Sequence, residues 1–188
     1  MGVYLRLMCE EDIPQVTEID REAFPTLWPP ANYQRELTNG LAHYIVACDD
    51  EESVKEPARQ SIIGFAGLWM LAGEAHITNI AVREKHRRQR IGERLLIAII
   101  DLAIELEAHL TTLEVRTSNT DAQKLYAKYG FTRVGVRRGY YTDNREDAVL
   151  MSLEDVNSAP IRENLERLKR AHSQEIANSL LTKAKKGG

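Results

Sequence analysis

The sequence has few cysteines and no long apolar segment, and each shortage excludes a class of protein. Its 188 residues include two cysteines, Cys9 and Cys48, which form no CxxC pair. Two separate cysteines cannot build a disulfide framework, so we expect reduced thiols and a cytoplasmic location. The longest uncharged segment, which contains Ser61 to Gly73, is shorter than the roughly 20 residues of a membrane-spanning helix. We therefore expect no membrane association.

The histidines and the overall charge argue against two further classes. The five histidines show no spacing typical of metal ligands, so we predict no metal site. The formal net charge is −3, with 25 basic and 28 acidic side chains. Nucleic-acid-binding domains are usually strongly basic, so we expect no direct nucleic-acid binding.

Basic residues are concentrated at the C-terminal end. From Pro160 onward, seven lysines and arginines accompany three acidic residues, which leaves the rest of the chain acidic. We predict a domain at residues 1–157 and a basic amphipathic helical tail at residues 158–188. The favoured interpretation is a helix packed on the body or on a partner chain, and the alternatives are an RNA-contacting arm or a disordered end. The apolar residues of this segment recur at helical spacing, at Ile161, Leu165, Leu168, Ile176 and Leu180.

Apolar periodicity and turn residues predict the order of secondary structure in the body. The order is one strand, two helices, three strands, a helix, a strand, a helix and two strands. The clearest helix is Gly92 to Leu106, where apolar residues recur at three- and four-residue steps. The last two strands are predicted at Val134–Tyr140 and Ala148–Leu153. These elements indicate a mixed α/β (α+β) domain with one central sheet.

A basic turn connects a predicted strand to this long helix. Five of the eight residues from Arg83 to Arg90 are lysine or arginine, and Gly92 follows. A helix N-terminus presents backbone N–H groups without intrahelical partners, and arginine binds phosphate in a bidentate manner. The turn therefore favours a phosphate or pyrophosphate site, with a solvated basic turn as the alternative. The GxxxxGK(S/T) and GxGxxG patterns of nucleotide-binding loops are absent from the sequence.

Four segments in the second half of the chain carry a family resemblance. They are Leu113–Asn119 (LEVRTSN), Leu125–Phe131 (LYAKYGF), Arg137–Tyr141 (RRGYY) and Arg145–Ala148 (REDA). These segments resemble the GNAT acetyltransferases, and more narrowly the RimI-type ribosomal-protein-alanine N-acetyltransferases and related N-terminal acetyltransferases. The resemblance extends from about residue 3 to residue 154. It implies the GNAT fold, a central, mostly antiparallel twisted sheet of about seven strands, split in a V between the fourth and fifth strands and flanked by four helices. The C-terminal helical tail follows this domain.

The resemblance also implies that acetyl-CoA is the cosubstrate. The family's pyrophosphate-binding turn has the form (Q/R)xxGx(G/A), and residues 87–92 fit it with Arg90 in place of the first glycine. Arg90 must therefore adopt a backbone conformation that glycine favours, or turn outward. The strand before the turn is expected to hold the pantetheine arm. The implied cofactor-binding residues are Ile80, Ala81, Val82, Arg87, Arg88, Gln89, Arg90, Ile91, Gly92, Glu93, Asn119 and Tyr126.

Acetyl transfer to an amine needs a base and benefits from an acid. An α-amine has a pKa of about 8 and must lose a proton before it attacks a thioester, and the departing thiolate has a pKa of about 8.5. The resemblance assigns the base to Glu114 and the acid to Tyr126, with direct transfer and no covalent enzyme intermediate. The alternatives are a carboxylate on an exposed sheet face for Glu114 and core packing for Tyr126.

The resemblance implies two aromatic walls around the acceptor. Phe24 and Trp28 are expected on one side. On the other side we expect Arg138, Tyr140 and Tyr141, which lie with Arg137 in the segment between the last two strands. Such walls suit an extended peptide end, and the acidic body favours a basic acceptor. The alternative for this segment is an amphipathic strand whose residues are partly exposed.

The predicted function is acetylation of the N-terminal α-amine of a protein, with a ribosomal protein as the favoured acceptor. One alternative is acetylation of a lysine side chain or a small amine. The other is a non-catalytic acyl-CoA-binding module. The sequence predicts no particular oligomeric state.

Overall fold

The chain folds around one seven-stranded sheet. The computed structural model describes residues 2–24, 32–49 and 60–186, the last eight of them by backbone alone. The strands are β1 (Val3–Leu7), β2 (Ala42–Asp49), β3 (Ser61–Leu71), β4 (Glu74–Val82), β5 (Leu110–Arg116), β6 (Thr132–Arg137) and β7 (Ala148–Glu154). The helices are α1 (Ile13–Ala23), α2 (Tyr33–Thr38), α3 (Ile91–Glu105), α4 (Thr120–Lys128) and α5 (Ala159–Lys186). None of these described helices is both long and apolar enough to span a bilayer.

The strand order across the sheet is β1-β2-β3-β4-β5-β7-β6. Every neighbouring pair is antiparallel except β4 and β5, which run parallel. A parallel pair requires a crossover connection, and α3 forms it. The predicted mixed α/β fold, with about seven mostly antiparallel strands and flanking helices, is confirmed.

Strands β4 and β5 separate part-way along their length. Their pairing is confined to Glu74–Ile77 opposite Leu110–Leu113. The separation begins beside a bulge, because Gly67 of β3 pairs with Asn79 whereas the next residue, Leu68, pairs with Ile77. A bulge bends its strand and increases the local twist, so the end of β4 turns away from β5. This is the predicted V-shaped split, and it opens a cleft between two strand edges.

Each face of the sheet has its own apolar core. One core lies beneath α3 and includes Leu95 and Ile99, with Leu165 of α5 among its buried members. The other lies beneath α1 and α2 and includes Val16 and Tyr33. Because helices cover both faces, the cleft between β4 and β5 is where a ligand reaches the strand edges.

The C-terminal segment is helical, as predicted, and packs against the body. Leu165 and Leu168 of α5 are buried, and Lys169 Nζ lies 2.6 Å from Asp101 Oδ1 of α3. The apolar stripe therefore packs on the same chain over this part of the helix, while Leu180 lies outside the residues whose side chains are described. The division into a domain at residues 1–157 and a tail at residues 158–188 stays a prediction.

The predicted strand Val134–Tyr140 is wrong at its C-terminal end. Strand β6 ends at Arg137, because the chain turns at Gly139, which has a left-handed φ of 56°. The Gly139 N–H donates to Asp147 Oδ1 at 2.8 Å and closes this turn. Arg137 is therefore a strand residue, paired with Ala148 of β7, and not a member of the following loop.

Candidate active site

A cavity of about 620 Å³ opens where β4 and β5 separate. Its walls come from the end of α1, from β4 and β5, from α4 and from the loop after β6. The lining residues are Asp20, Arg21, Ala23, Phe24, His76, Ile77, Thr78, Asn79, Ile80, Leu113, Glu114, Val115, Arg116, Asn119, Tyr126, Tyr140 and Tyr141. Seven of the predicted site residues are thus brought together, namely Phe24, Ile80, Glu114, Asn119, Tyr126, Tyr140 and Tyr141.

Glu114 lies between two cationic or potentially cationic groups. Its side chain is 7% exposed; His76 Nε2 lies 3.0 Å from Oε2, and Arg137 Nε lies 3.0 Å from Oε1. The other ring nitrogen of His76 lies 3.0 Å from the Thr112 hydroxyl, which fixes the orientation of the imidazole. Glu114 is therefore not on an open sheet face, because each carboxylate oxygen has a partner.

The surroundings of Glu114 keep it ionised. Burial opposes ionisation of the carboxyl, but the hydrogen bond with His76 and the charges of His76 and Arg137 outweigh it and lower the pKa of Glu114. Glu114 is consequently a carboxylate at neutral pH. It can accept a hydrogen bond from an ammonium group, but its low basicity makes a second proton-carrying group useful.

Tyr126 projects from α4 into the cavity. Burial raises the pKa of its hydroxyl to about 12, so the hydroxyl is protonated at neutral pH and acts as a donor. Its ring packs against Phe131 with the ring centroids 6.0 Å apart. In the described part of the chain the hydroxyl has no hydrogen-bond partner. It is therefore available to donate a hydrogen bond to a molecule bound in the cavity.

The predicted phosphate-binding turn connects β4 to α3. Arg88 and Arg90 both have left-handed backbone conformations, with φ of 61° and 62°. Arg90 therefore takes the glycine-like conformation that its place in the turn demands. Helix α3 begins at Ile91, and its first intrahelical bond runs from the Arg94 N–H to the Arg90 carbonyl at 3.1 Å. The N–H groups of residues 91–93 have no intrahelical acceptor and point out of the helix end.

Gly92 indicates that this turn has room for a ligand. A Cβ at Gly92 would have Val82 Cγ2 as its nearest neighbour outside its own helix, at 3.8 Å. Internal packing therefore does not demand glycine here, and the open space would let a ligand approach the first turn of α3 closely. Arg87 and Arg88 are exposed beside this space, and the positive end of the helix favours anions. These residues fit the diphosphate of CoA.

The strand residues Ile80, Ala81 and Val82 lie beyond the split. On one side they pair with Ala66, Phe65 and Gly64 of β3, and on the other side they face the cleft. An exposed strand edge can pair with the amides of an extended chain, so this edge fits the pantetheine arm. 

Asn119 lies at the start of α4 and lines the same cavity. Its Oδ1 accepts a hydrogen bond from the Ala122 N–H at 3.2 Å and caps the helix. The side-chain oxygen is therefore committed to the fold, and a cofactor contact by Asn119 would have to come from its amide nitrogen or backbone.

Three further members of the predicted cofactor set make hydrogen bonds to other residues of the protein. Arg87 Nε donates to the Val82 carbonyl at 3.3 Å, and Gln89 Nε2 donates to the Lys85 carbonyl at 3.3 Å. Glu93 is buried and accepts hydrogen bonds from Lys128 Nζ at 2.6 Å and from the Tyr129 hydroxyl at 2.8 Å. Glu93 therefore holds α3 against the end of α4 and does not face the cavity.

The loop after β6 forms an aromatic wall that ion pairs hold in place. Tyr140 and Tyr141 pack edge to face with their centroids 5.2 Å apart, and the Arg116 guanidinium lies 3.9 Å from the centre of the Tyr141 ring. Arg116 in turn pairs with Asp143 at 2.9 Å and Glu146 at 3.1 Å. The wall is therefore preorganised by a network anchored on β5.

Two predicted acceptor-binding residues are not brought to the cavity by the described structure. The side chain of Arg138 is 87% exposed and pairs with Asp147 at 2.7 Å, and it does not line the cavity. Arg138 points into solvent because the turn at Gly139 reverses the chain after β6. Trp28 lies outside the described residues, and Phe24 lines the opposite wall at the end of α1.

Sequence reasoning missed His76 and Arg137 as partners of Glu114. The sequence predicted this strand at Ile77–Val82, which begins after His76, and Arg137 was assigned to the loop between the last two strands. Both lie near Glu114 only because of strand register, since His76 pairs with Thr112 and Glu114 pairs with Leu150 of the strand next to β6. The one available signal was that Arg137 is the first residue of the RRGYY segment and can form an ion pair. Over the described residues, no cluster of three or more histidine, cysteine or acidic side chains is arranged to hold a metal ion.

Comparisons with known proteins agree with this architecture. A sequence model of the acetyltransferase (GNAT) family matches residues 13–131. A Bacillus subtilis protein named as a candidate ribosomal protein bS18-alanine N-acetyltransferase is 39% identical over 148 residues, which are 78% of this chain and 92% of that protein. An N-alpha-acetyltransferase of Sulfurisphaera tokodaii is 38% identical over 145 residues, covering 75% of this chain and 86% of that protein.

Among solved structures, the ribosomal-protein-S18-alanine N-acetyltransferase of Escherichia coli superposes with a TM-score of 0.70. The two share 28% sequence identity, and the match covers 82% of this chain and 94% of that chain. The predicted resemblance to RimI-type enzymes is confirmed by these matches. The chain therefore belongs to the acetyltransferase (GNAT) family, and it is an acyltransferase enzyme.

Proposed function

We propose that this enzyme transfers the acetyl group of acetyl-CoA directly to the N-terminal α-amine of a protein, with a ribosomal protein as acceptor. The observation that carries the proposal is the cavity at the β4–β5 split. It combines an ionised Glu114, a protonated Tyr126 and an aromatic wall, next to a turn that fits the CoA diphosphate. Relatives named as ribosomal-protein-alanine and N-alpha-acetyltransferases support the same acceptor class. A cytoplasmic location is part of this proposal.

Glu114 and His76 are the groups that remove the amine proton. An α-ammonium group with a pKa of about 8 is largely protonated at neutral pH, and the Glu114 carboxylate attracts it into the cavity. Because the pKa of Glu114 is lowered, the carboxylate alone is a weak base. The adjacent imidazole of His76 is the side-chain type best suited to pass a proton to solvent near neutral pH. We assign Glu114, directly or through a water molecule, as the base, and His76 as its partner.

Tyr126 is the group that faces the leaving sulfur. Bound acetyl-CoA supplies the activated acetyl thioester. A thiolate with an ordinary pKa of about 8.5 does not remove the proton from a hydroxyl whose pKa is about 12. The hydroxyl therefore stabilises the developing negative charge mainly by donating a hydrogen bond. Among the described residues that line the cavity, none is a cysteine or serine, in keeping with direct transfer.

The acceptor half of the cavity suits an extended peptide. Phe24 lies on one side, and Tyr140 and Tyr141 lie on the other. The cavity also contains Asp20, whose burial raises its pKa against the opposing effects of Tyr33 and Arg21. An acidic side chain beside two aromatic walls favours a positively charged peptide end over an acidic one.

A peptide panel tests the acceptor class. Purified enzyme and acetyl-CoA are incubated with basic peptides that begin with Ala, Ser, Thr, Gly or Met. Each peptide is paired with an N-terminally blocked copy that contains lysine, and mass spectrometry locates the acetyl group. We expect modification of the free α-amine, led by the Ala-starting peptide.

The same panel distinguishes the proposed acceptor from a lysine side chain and from a small amine. Acetylation of lysine in the blocked peptides, without α-amine acetylation, would contradict the proposed acceptor while leaving the enzyme class intact. Transfer to no peptide, with measurable CoA binding, would favour a small amine as the acceptor.

A further inference from the structure

Helix α5 runs along α3 and reaches the turn that fits the CoA diphosphate. Lys169 pairs with Asp101 near the C-terminal end of α3 at 2.6 Å. One turn further along α5, His172 Nδ1 lies 3.2 Å from Glu93 Oε2. One turn further again, Glu175 pairs with Arg90, the residue that precedes α3. Residues further along α5 therefore contact residues nearer the N-terminus of α3, so the two helices run in opposite directions.

Glu93 connects three helices at this point. It lies in the first turn of α3, its side chain is 8% exposed, and it pairs with Lys128 of α4 and His172 of α5. Burial opposes its ionisation, but hydrogen bonds from Lys128 and Tyr129 outweigh this effect and lower the pKa of Glu93. His172 is itself buried, with a side chain 5% exposed. Movement of α5 would therefore disturb the first turn of α3.

Arg90 has a backbone conformation that contacts from α5 can stabilise. Its left-handed backbone, with φ of 62°, is free of strain for glycine but costs free energy for arginine. Its guanidinium pairs with Glu175 of α5 and lies 3.4 Å from Glu93. These pairs form in the present conformation of the turn and stabilise it, so they offset the strain at Arg90. The family's glycine at this position would need no such partner.

We propose that α5 is a clamp on the acetyl-CoA-binding turn, in which Glu175 and His172 are positioning residues that act through Arg90 and Glu93. This inference rests on the proposed use of acetyl-CoA. The clamp holds the N–H groups at the start of α3 in the arrangement that binds the diphosphate. Residues 158–188, which include both clamp residues, lie outside residues 13–131, the region that the family model matches.

Direct binding of CoA, measured by isothermal titration calorimetry on the full-length protein, tests the clamp without relying on turnover. Glu175→Gln removes the charge that holds Arg90. Because the pair is partly exposed, with 43% and 46% of the two side chains accessible, we expect the Kd for CoA to rise about threefold to fivefold. In acetylation assays KM for acetyl-CoA should rise by the same factor, with kcat at saturating acetyl-CoA unchanged.

A double-mutant cycle separates positioning from general stability. Arg90→Gly restores the family pattern and relieves the backbone strain, so Glu175→Gln added to it should not weaken CoA binding further. Lys169→Gln is the matched control, because it breaks another ion pair between α5 and α3, about two turns from Glu175. It should lower thermal stability and leave the Kd for CoA unchanged.

The outcomes that overturn the clamp are distinct. An unchanged or lower Kd in Glu175→Gln would mean that Arg90 needs no support, and equal weakening with and without Arg90→Gly would mean that Glu175 acts by another route. Failure of the unaltered protein to bind CoA would overturn the proposed function, and the clamp with it.

Discussion

The imidazole of His76 and the carboxylate of Glu114 lie 3.0 Å apart at the point where β4 and β5 separate. His76 is one of the last β4 residues paired with β5, and Glu114 is the first β5 residue beyond that pairing. The two groups therefore face the cleft from both of its edges. The separation of the two strands opens the cleft to a ligand. It also brings together the two side chains that we propose remove the proton from the acceptor amine.

Replacement of Glu114 by Gln tests the base. The amide keeps the shape of the side chain but cannot accept the amine proton, so kcat should fall by about 10²- to 10⁴-fold, the usual contribution of a general base. Steady-state assays at pH 7 with the preferred peptide measure this loss. CoA affinity is the control and should stay unchanged, because the diphosphate site lies on α3. A rate within twofold of the unaltered enzyme would assign the base elsewhere.

Replacement of Tyr126 by Phe tests the donor to the leaving sulfur. The hydroxyl has no partner within the described structure, so its removal leaves no buried polar group unpaired. We therefore expect kcat to fall by about tenfold to a hundredfold, as for loss of one hydrogen bond to developing charge. The midpoint of thermal unfolding should stay nearly constant. If unfolding shifts strongly while the rate per folded molecule is preserved, Tyr126 has a packing role instead.

The fold could be predicted because many of its elements are recognisable from short stretches of sequence. The apolar period of α3, the glycine after α4 and the segments LEVRTSN and RRGYY are each contained in a short stretch of sequence. Glu114 and Tyr126 could be predicted as base and acid because both lie in such stretches. The same reasoning found the turn at residues 87–92 although Arg90 replaces a glycine.

The partners of Glu114 were not predictable from the sequence. His76 is separated from Glu114 by the whole of α3, and Arg137 reaches it across β7. Their proximity depends on strand register, which is determined by the whole sheet and by the bulge beside Gly67. The contact of Glu175 with Arg90 depends likewise on how α5 packs on α3, and periodicity alone identifies the packed face without identifying the surface it covers.

Gly67 lies beside the bulge, where its backbone packs closely against Tyr44. An added Cβ would lie 2.3 Å from the Tyr44 ring and 3.0 Å from the Thr78 hydroxyl, and Tyr44 is buried and cannot move away. Gly67→Ala should therefore lower the free energy of unfolding by about 1–3 kcal/mol, the usual cost of overpacking. Urea denaturation measures this change. Gly40→Ala, where a Cβ would meet no atom within 4 Å, is the control and should change stability little; equal stability of the two variants would contradict the packing.

Arg137 should set the pH range in which Glu114 works. Burial raises the pKa of Glu114, and His76 and then Arg137 lower it. Loss of the guanidinium in Arg137→Gln should therefore raise the pKa of Glu114. The ionised form is the active one, so a higher pKa means that activity is lost at a higher pH as the solution is acidified. The ratio of kcat/KM for the variant to that for the unaltered enzyme should consequently fall as the pH is lowered from 8 to 5.

Arg133→Gln is the matched control for this prediction. Arg133 is exposed on the same strand, β6, and does not line the cavity. The ratio of kcat/KM for Arg133→Gln to that for the unaltered enzyme should therefore be the same at every pH. General weakening of acetyl-CoA or peptide binding would lower the ratio for Arg137→Gln equally at every pH. A ratio independent of pH would therefore mean that Arg137 only shapes the cavity wall, whereas a decline confined to Arg137→Gln ties it to the ionisation of Glu114.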